Sequence, residues 1–141
     1  MKYLAVRIAL AFLPGMRLTL EDLAGPEAIQ VTSETTHAQQ MAVTKHAVKS
    51  FTLRQLRAID RMQRQAHRQI AALRLPLLIL YTPNDPVSTP EGARSLYATA
   101  GSKDKAIHEF AESYHLILHD TERDTAVKLI VEWLRKRAAP E

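Results

Sequence analysis

The sequence predicts an α/β fold built on a parallel strand–helix–strand unit between Leu77 and Phe110, and three observations carry that prediction. Leu77 to Tyr81 reads LLILY, an unbroken apolar run bounded by Pro76 and by the turn Thr82-Pro83-Asn84-Asp85-Pro86. Such a run suits a strand buried on both faces, as in a parallel sheet. Thr89-Pro90-Glu91 then opens a helix, with threonine as N-cap, proline at the first helical position and glutamate favourable to the helix dipole. Its inner stripe is Ala93, Leu96 and Tyr97, and Gly101 ends it. Ala106 to Phe110 is a second short strand. A parallel pair needs a crossover, which the helix supplies, and the general rule makes it right-handed.

Composition bounds the rest. The chain has 141 residues, one domain's worth, with 46% hydrophobic and 24% charged side chains, ordinary values for a globular protein. There is no cysteine, which excludes disulfides, thiolate chemistry and Cys-based zinc sites. The net charge of +4 is only weak evidence for an anionic partner. Lys2 followed by Leu4 to Leu13 has the outline of a signal peptide. Arg7 interrupts the apolar run, however, and no clean small-x-small cleavage site follows, so a cytoplasmic location is expected. No apolar run approaches the roughly 20 residues of a membrane-spanning helix.

Taken in order, Tyr3 to Phe12 is apolar on nearly all sides and reads as a docked helix, ended by Pro14-Gly15. Arg17 to Val31, with Gly25-Pro26, shows no period and reads as loop. Ser33 to His46 is polar. Its histidines, His37 and His46, are nine apart, which does not set them on one helix face as a metal pair requires, and they read as solvated. Phe51 to Leu73 is the clearest helix, with Thr52 as N-cap. Leu53, Leu56, Ile59, Met62, Ala66, Ile70 and Leu73 form one apolar stripe. Arg54, Arg57, Arg61, Arg64 and Arg68 form a basic stripe. That stripe suits either a phosphate- or membrane-facing surface or a solvated outer face. The second reading is preferred, because no aromatic residues are interleaved as in many nucleic-acid modules. Asp120 or Thr121 is expected to cap a last helix with Val127, Ile130, Val131 and Leu134 as its apolar face and Trp133 beside it. Arg135, Lys136 and Arg137 favour that helix's negative end.

The chemistry lies at the two strand ends. Loops at the carboxyl ends of parallel strands are where open α/β sheets build their sites. Asp85 follows the first strand and His115 the second. A carboxylate on one imidazole nitrogen fixes the tautomer and frees the other nitrogen to take a proton from a nucleophile. Each residue alone also has an ordinary reading, Asp85 as a turn former and His115 as a solvated loop residue.

Several motifs occur together: Pro76-Leu77-Leu78-Ile79-Leu80 leading to Asn84-Asp85-Pro86-Val87, then Gly101-Ser102-Lys103-Asp104-Lys105, then Tyr114-His115, then Val131-Glu132-Trp133-Leu134. On these the span from Leu75 to the C-terminus resembles the end of an α/β-hydrolase of the monoacylglycerol lipase, lysophospholipase and serine aminopeptidase type. The resemblance implies that Asp85 is the acid and His115 the base of a catalytic triad. It also implies an ester or acylglycerol substrate. No metal or cofactor is expected, because no His or carboxylate pair sits at ligand spacing with supporting context. Residues 1–74 resemble the family loosely and suit a helical cap over the acyl site, with 75–141 as the core segment.

The departures are specific. No Gly-x-Ser-x-Gly is present, and the four glycines are Gly15, Gly25, Gly92 and Gly101. None of Ser33, Ser50, Ser88, Ser95, Ser102 and Ser113 has a strand–elbow–helix context. The His-Gly stretch that supplies an oxyanion-hole amide in the family is absent, and Thr82 stands where the family commonly has glycine. The expectation is therefore the cap and C-terminal part of a serine hydrolase, as a fragment, a truncated gene product or a wrongly assigned start, inactive alone. The alternative is a non-catalytic interaction protein that uses an open sheet edge or the Arg54–Arg68 stripe. Nucleic-acid binding is not expected, and membrane contact is at most peripheral.

Overall fold

The structure, a computed structural model, describes residues 13–19, 22, 30–36, 39–40, 48 and 50–138. The expected Tyr3–Phe12 helix, the Gly25-Pro26 turn, His37 and His46 lie outside these residues.

Among the described residues the elements are two small sheets, three helices and two 3₁₀ turns, the second at Ile117–His119. β1 (Arg17–Thr19) pairs antiparallel with β2 (Ser50–Thr52), with Leu18 opposite Phe51. α1 (Leu53–Gln69) follows directly, and a 3₁₀ turn (Ile70–Ala72) ends it. β3 (Leu77–Tyr81), α2 (Pro90–Thr99) and β4 (Lys105–Glu109) form the expected strand–helix–strand unit, and α3 (Arg123–Ala138) closes the chain. β3 and β4 are parallel, in register from Leu77 opposite Lys105 to Tyr81 opposite Glu109. The ladder continues past both ends: the Leu77 amide donates to the Asp104 carbonyl (2.9 Å) and the Phe110 amide to the Tyr81 carbonyl (2.8 Å).

Local chemistry explains most boundaries. Thr52 caps α1 in a full capping box, its hydroxyl accepting from the Gln55 amide and its own amide donating to the Gln55 side chain. Phe51 is thus not helical, contrary to expectation, but the last strand residue before the cap. The β1–β2 pair was illegible, because three-residue strands are too short to show alternation. At the other end the Ile70 carbonyl accepts from both Leu73 (3.1 Å) and Gly101 (3.1 Å), so the last turn tightens instead of continuing to Leu73. α2 begins as expected, with Thr89 accepting from the Gly92 amide and proline in the first turn.

Burial corrects three expectations. β3 is half-buried along its whole length, not buried on both faces, because among the described residues its sheet has two strands. The α1 stripe is packed at its ends, where Leu53 is buried, but open in the middle, where Ile59 and Met62 are 43% and 68% exposed. On α3, Val127, Val131 and Leu134 are exposed, whereas Ala126 is fully buried and Leu129, Ile130 and Trp133 are half-buried. That inward stripe has the same three-and-four spacing as the expected one. It is selected by Arg137, which stacks on Trp133 at 3.8 Å and pairs with Asp104 beside the start of β4.

Gly101 sits where α2 meets the 3₁₀ turn, and a Cβ there would collide with the Ala71 carbonyl and the Arg74 guanidinium. Arginine can swing away, but the backbone carbonyl cannot. Gly101→Ala is expected to cost about 1–3 kcal/mol, the usual range for overpacking, read as a lower urea midpoint at unchanged slope.

Candidate active site

The structure brings Asp85 and His115 together. The His115 Nδ1 lies 2.9 Å from the Asp85 Oδ2. The Asp85 side chain is 12% exposed and that of His115 is 37% exposed, so the carboxylate is covered while the imidazole faces out. The other carboxylate oxygen, Oδ1, accepts from the amides of Val87 (2.7 Å) and Ser88 (3.0 Å). The Asn-Asp-Pro turn therefore curls around its own aspartate and aims Oδ2 at the imidazole.

These contacts set the charge state. Burial works to raise the Asp85 carboxyl. The hydrogen bonds from His115, Val87 and Ser88 and the charge of His115 outweigh it, and hold the carboxyl below its ordinary value of 3.8. An ionised carboxylate only accepts, so the proton of the shared bond sits on Nδ1. In neutral His115 the Nε2 lone pair is then free to accept a proton.

The two loops are joined by side chains that point at backbone. Thr82, 2% exposed, donates its hydroxyl to the Ser113 carbonyl and accepts from the Asn84 amide at 3.1 Å. The Asn84 side-chain amide donates to the carbonyls of Ala111 (2.7 Å) and Ser113 (3.2 Å). Thr82 thus links the Asp85 loop to the His115 loop. Ser113 is fully buried, and its hydroxyl donates to Glu122 at 2.9 Å, so it is not directed at His115. Glu122 also accepts from the Glu112 amide at 2.9 Å.

Asp120 corrects a further expectation. α3 begins at Arg123, and neither Asp120 nor Thr121 is its cap. The Asp120 carboxylate, 3% exposed, accepts from the amides of Tyr114 (2.8 Å), Thr121 (2.9 Å) and Ser33 (3.1 Å) and from the Ser33 hydroxyl. Burial works to raise its carboxyl, and the Ser33, Tyr114 and Thr121 hydrogen bonds outweigh that and lower it. An aspartate just before a helix carries the sequence signal of a cap. Nothing local marks its bond to a residue 87 positions away.

A polar cavity of about 430 Å³ is lined by Glu34, Thr36, Gln40, His119, Asp120, Thr121, Arg123 and Asp124, and includes neither Asp85 nor His115. Its lining does not suit an acyl chain. Among the described residues no cluster of three or more His, Asp or Glu side chains could hold a metal ion. Also among them, no helix is long and apolar enough to cross a membrane.

Two outcomes follow from this geometry. Asp85 is depressed in the folded state, so its contribution to stability is complete above the unfolded value and is lost as pH falls through the lower folded one. Asp85→Asn should flatten that acid limb of a stability–pH curve, measured by urea unfolding below pH 5. Thr82→Val keeps shape but leaves the Asn84 amide without its acceptor. It should cost about 1–3 kcal/mol by the same measurement.

Comparison with known proteins agrees with this architecture. The solved monoacylglycerol lipase of Paleococcus ferrophilus superposes with a TM-score of 0.78 at 24% identity, covering 97% of this chain and 52% of that one. A soluble variant of monoglyceride lipase from Saccharomyces cerevisiae, solved with a substrate analog, gives 0.75 at 16% identity, covering 96% and 48%. A structure from work on LipS and LipT, two metagenome-derived lipolytic enzymes, gives 0.68 at 20% identity, covering 92% and 48%. The chain therefore has part of an α/β-hydrolase fold and spans about half the length of these structures. The family pattern described as "Serine aminopeptidase, S33" matches residues 1–122. The chain belongs to the serine aminopeptidase S33 family of α/β-hydrolases.

Proposed function

We propose that this chain supplies the acid and base of a serine hydrolase acting on carboxylic esters of the acylglycerol or lysophospholipid kind. The observation that carries the reading is the Asp85–His115 pair, with Nδ1 committed to the carboxylate and Nε2 left over. His115 would take the proton from a serine hydroxyl through Nε2 as the oxygen attacks the ester carbonyl. It would then return that proton to the leaving alkoxide. In the second half a water would lose its proton to the same nitrogen and release the acid. Asp85 would orient the imidazole and stabilise its charged form throughout, without itself taking the proton.

The nucleophile and the oxyanion hole belong to parts of the fold that these 141 residues do not contain. No Gly-x-Ser-x-Gly occurs in the sequence, and among the described residues no serine hydroxyl is hydrogen-bonded to His115. Residues 1–74 would serve as cap, 75–141 as the acid–base core, and the location would be cytoplasmic. The likeness to a monoacylglycerol lipase and a monoglyceride lipase supports the substrate class.

A second reading has its own observation. Among the described residues, the side chains of Arg54, Arg57, Arg61 and Arg68 have no ion-pair partner, and only Arg64 pairs, with Asp60. Ile59, Met62 and Leu75 are exposed close by in sequence. A non-catalytic interaction protein would use that surface, or would pair a partner strand with β3.

Purified as the 141-residue chain, the protein is expected to leave a short-chain nitrophenyl ester unhydrolysed. Robust turnover abolished by His115→Ala would overturn that expectation. In-frame codons for Gly-x-Ser-x-Gly upstream of Met1 would favour the hydrolase reading, and a nearby in-frame stop the interaction protein.

A further inference from the structure

His115 is held by one side-chain bond, to Asp85, and by a backbone that something else must fix. The two amides that bracket it are both occupied. The Tyr114 amide donates to the Asp120 Oδ2 at 2.8 Å, and the Leu116 amide donates to the Val31 carbonyl at 2.9 Å. Both restraints lead to the same distant segment. The Asp120 Oδ1 accepts the Ser33 amide and hydroxyl, and the Thr32 hydroxyl donates to the His119 carbonyl at 2.7 Å. Thr32 and Asp120 are 5% and 3% exposed, so these two side chains are largely shielded from water. A short strap, Val31 to Ser33, is thus laced to the loop on either side of the imidazole, and Asp120 is the knot.

Resting on the reading of His115 as the base, we propose that Asp120 is a positioning residue. It fixes the His115 imidazole on Asp85 through the Tyr114 amide, and it takes its own orientation from Ser33. The chemistry demands an ionised carboxylate at this point. Oδ2 meets one N–H and Oδ1 meets two N–H groups and a hydroxyl, all donors. An asparagine must turn its NH₂ toward one of those sets and push it away. If the NH₂ faces Tyr114, the amide preceding His115 is released. If it faces Ser33, the strap is released and the Val31–Leu116 bond with it. Either way the imidazole loses its seat. Displacement of residues 31–33 would therefore reach the base without touching it, which gives the amino-terminal segment a route to the acid–base pair.

The test is imidazole ¹H–¹⁵N NMR of His115 in the full 141-residue chain at neutral pH, which reads the ratio of the Nδ1–H to the Nε2–H tautomer. Asp85→Asn sets the scale for a broken pair. Asp120→Asn is expected to lower the ratio about fivefold, the equivalent of one net hydrogen bond. Ser33→Ala, which changes no charge and keeps the proposal testable if Asp120→Asn fails to fold, should lower it in the same direction by less. Asp124→Asn removes a nearby exposed charge whose side chain makes no hydrogen bond among the described residues, and it should leave the ratio unchanged. The proposal is overturned if Asp120→Asn and Ser33→Ala keep the wild-type ratio while Asp85→Asn changes it. It is also overturned if Asp124→Asn has the effect of Asp120→Asn, since charge alone would then suffice. If Asp85→Asn itself changes nothing, the Asp85–His115 reading falls, and the positioning role falls with it.

Discussion

The hydrogen bond from the Thr82 hydroxyl to the Ser113 carbonyl is the contact on which the site depends. β3 and β4 deliver two chain ends side by side, but a two-stranded parallel ladder stops at Tyr81 and Phe110. Beyond that point the backbone of each loop has polar groups and no ladder partner. Thr82 satisfies the first of them from inside the structure, 31 residues away in sequence, and Asn84 adds two more links to the same loop. Buried carbonyls left without donors cost more than the bonds gain, so the alternatives in which the loops drift apart are penalised. Asp85 and His115 are neighbours because their loops are tied together, and their own bond is the last link.

This explains an unusual feature of the interior. Among the described residues the most excluded polar side chains are Thr32, Thr82, Ser102, Ser113 and Asp120, alongside only Leu53, Ala100, Phe110 and Ala126 as buried apolar ones. Four of those polar residues bind the loops around His115, and Ser102 donates within its own turn to the Asp104 carbonyl at 2.9 Å. An apolar core fixes which surfaces meet, but it is tolerant of sliding. Fully paired buried polar groups are not, because each displaced atom exposes a donor or acceptor to an apolar wall. The lattice thus supplies geometric definition where the small sheet cannot.

How much of this was legible in the sequence follows from the range of each interaction. Leu77–Tyr81, the Thr89-Pro90 helix start and the Thr52 cap were readable because their causes lie within a few residues. Asp85 and His115 were readable as candidates because turn chemistry and strand ends mark positions where side chains converge. Thr82 and Asn84 lie in the same turn, but their partners were not readable, since they act on main-chain carbonyls, and those are present at every residue. Asp120 carried a misleading one. The α3 face was ambiguous for another reason: two stripes of equal period overlap there, and only the Arg137–Trp133–Asp104 contact decides between them. The three-residue strands β1 and β2 fall below the length at which alternation exists as a signal.

The same distinction of range bears on what this chain supplies by itself. Every donor and acceptor that defines the Asp85–His115 geometry comes from within three stretches, 31–33, 81–88 and 110–122. None of these bonds requires a group outside the chain. A nucleophile elsewhere would then meet an imidazole whose tautomer and orientation are already fixed, so that only one docking geometry, and not three side chains, remains to be set. Conversely, the half-buried β3 and the exposed Ile59, Met62 and Leu75 show that the apolar surfaces are less complete than the polar lattice. Within the described residues, then, the Asp85–His115 geometry is held by paired polar groups and not by the packing of apolar walls, because a displaced donor or acceptor costs more than a sliding methyl group.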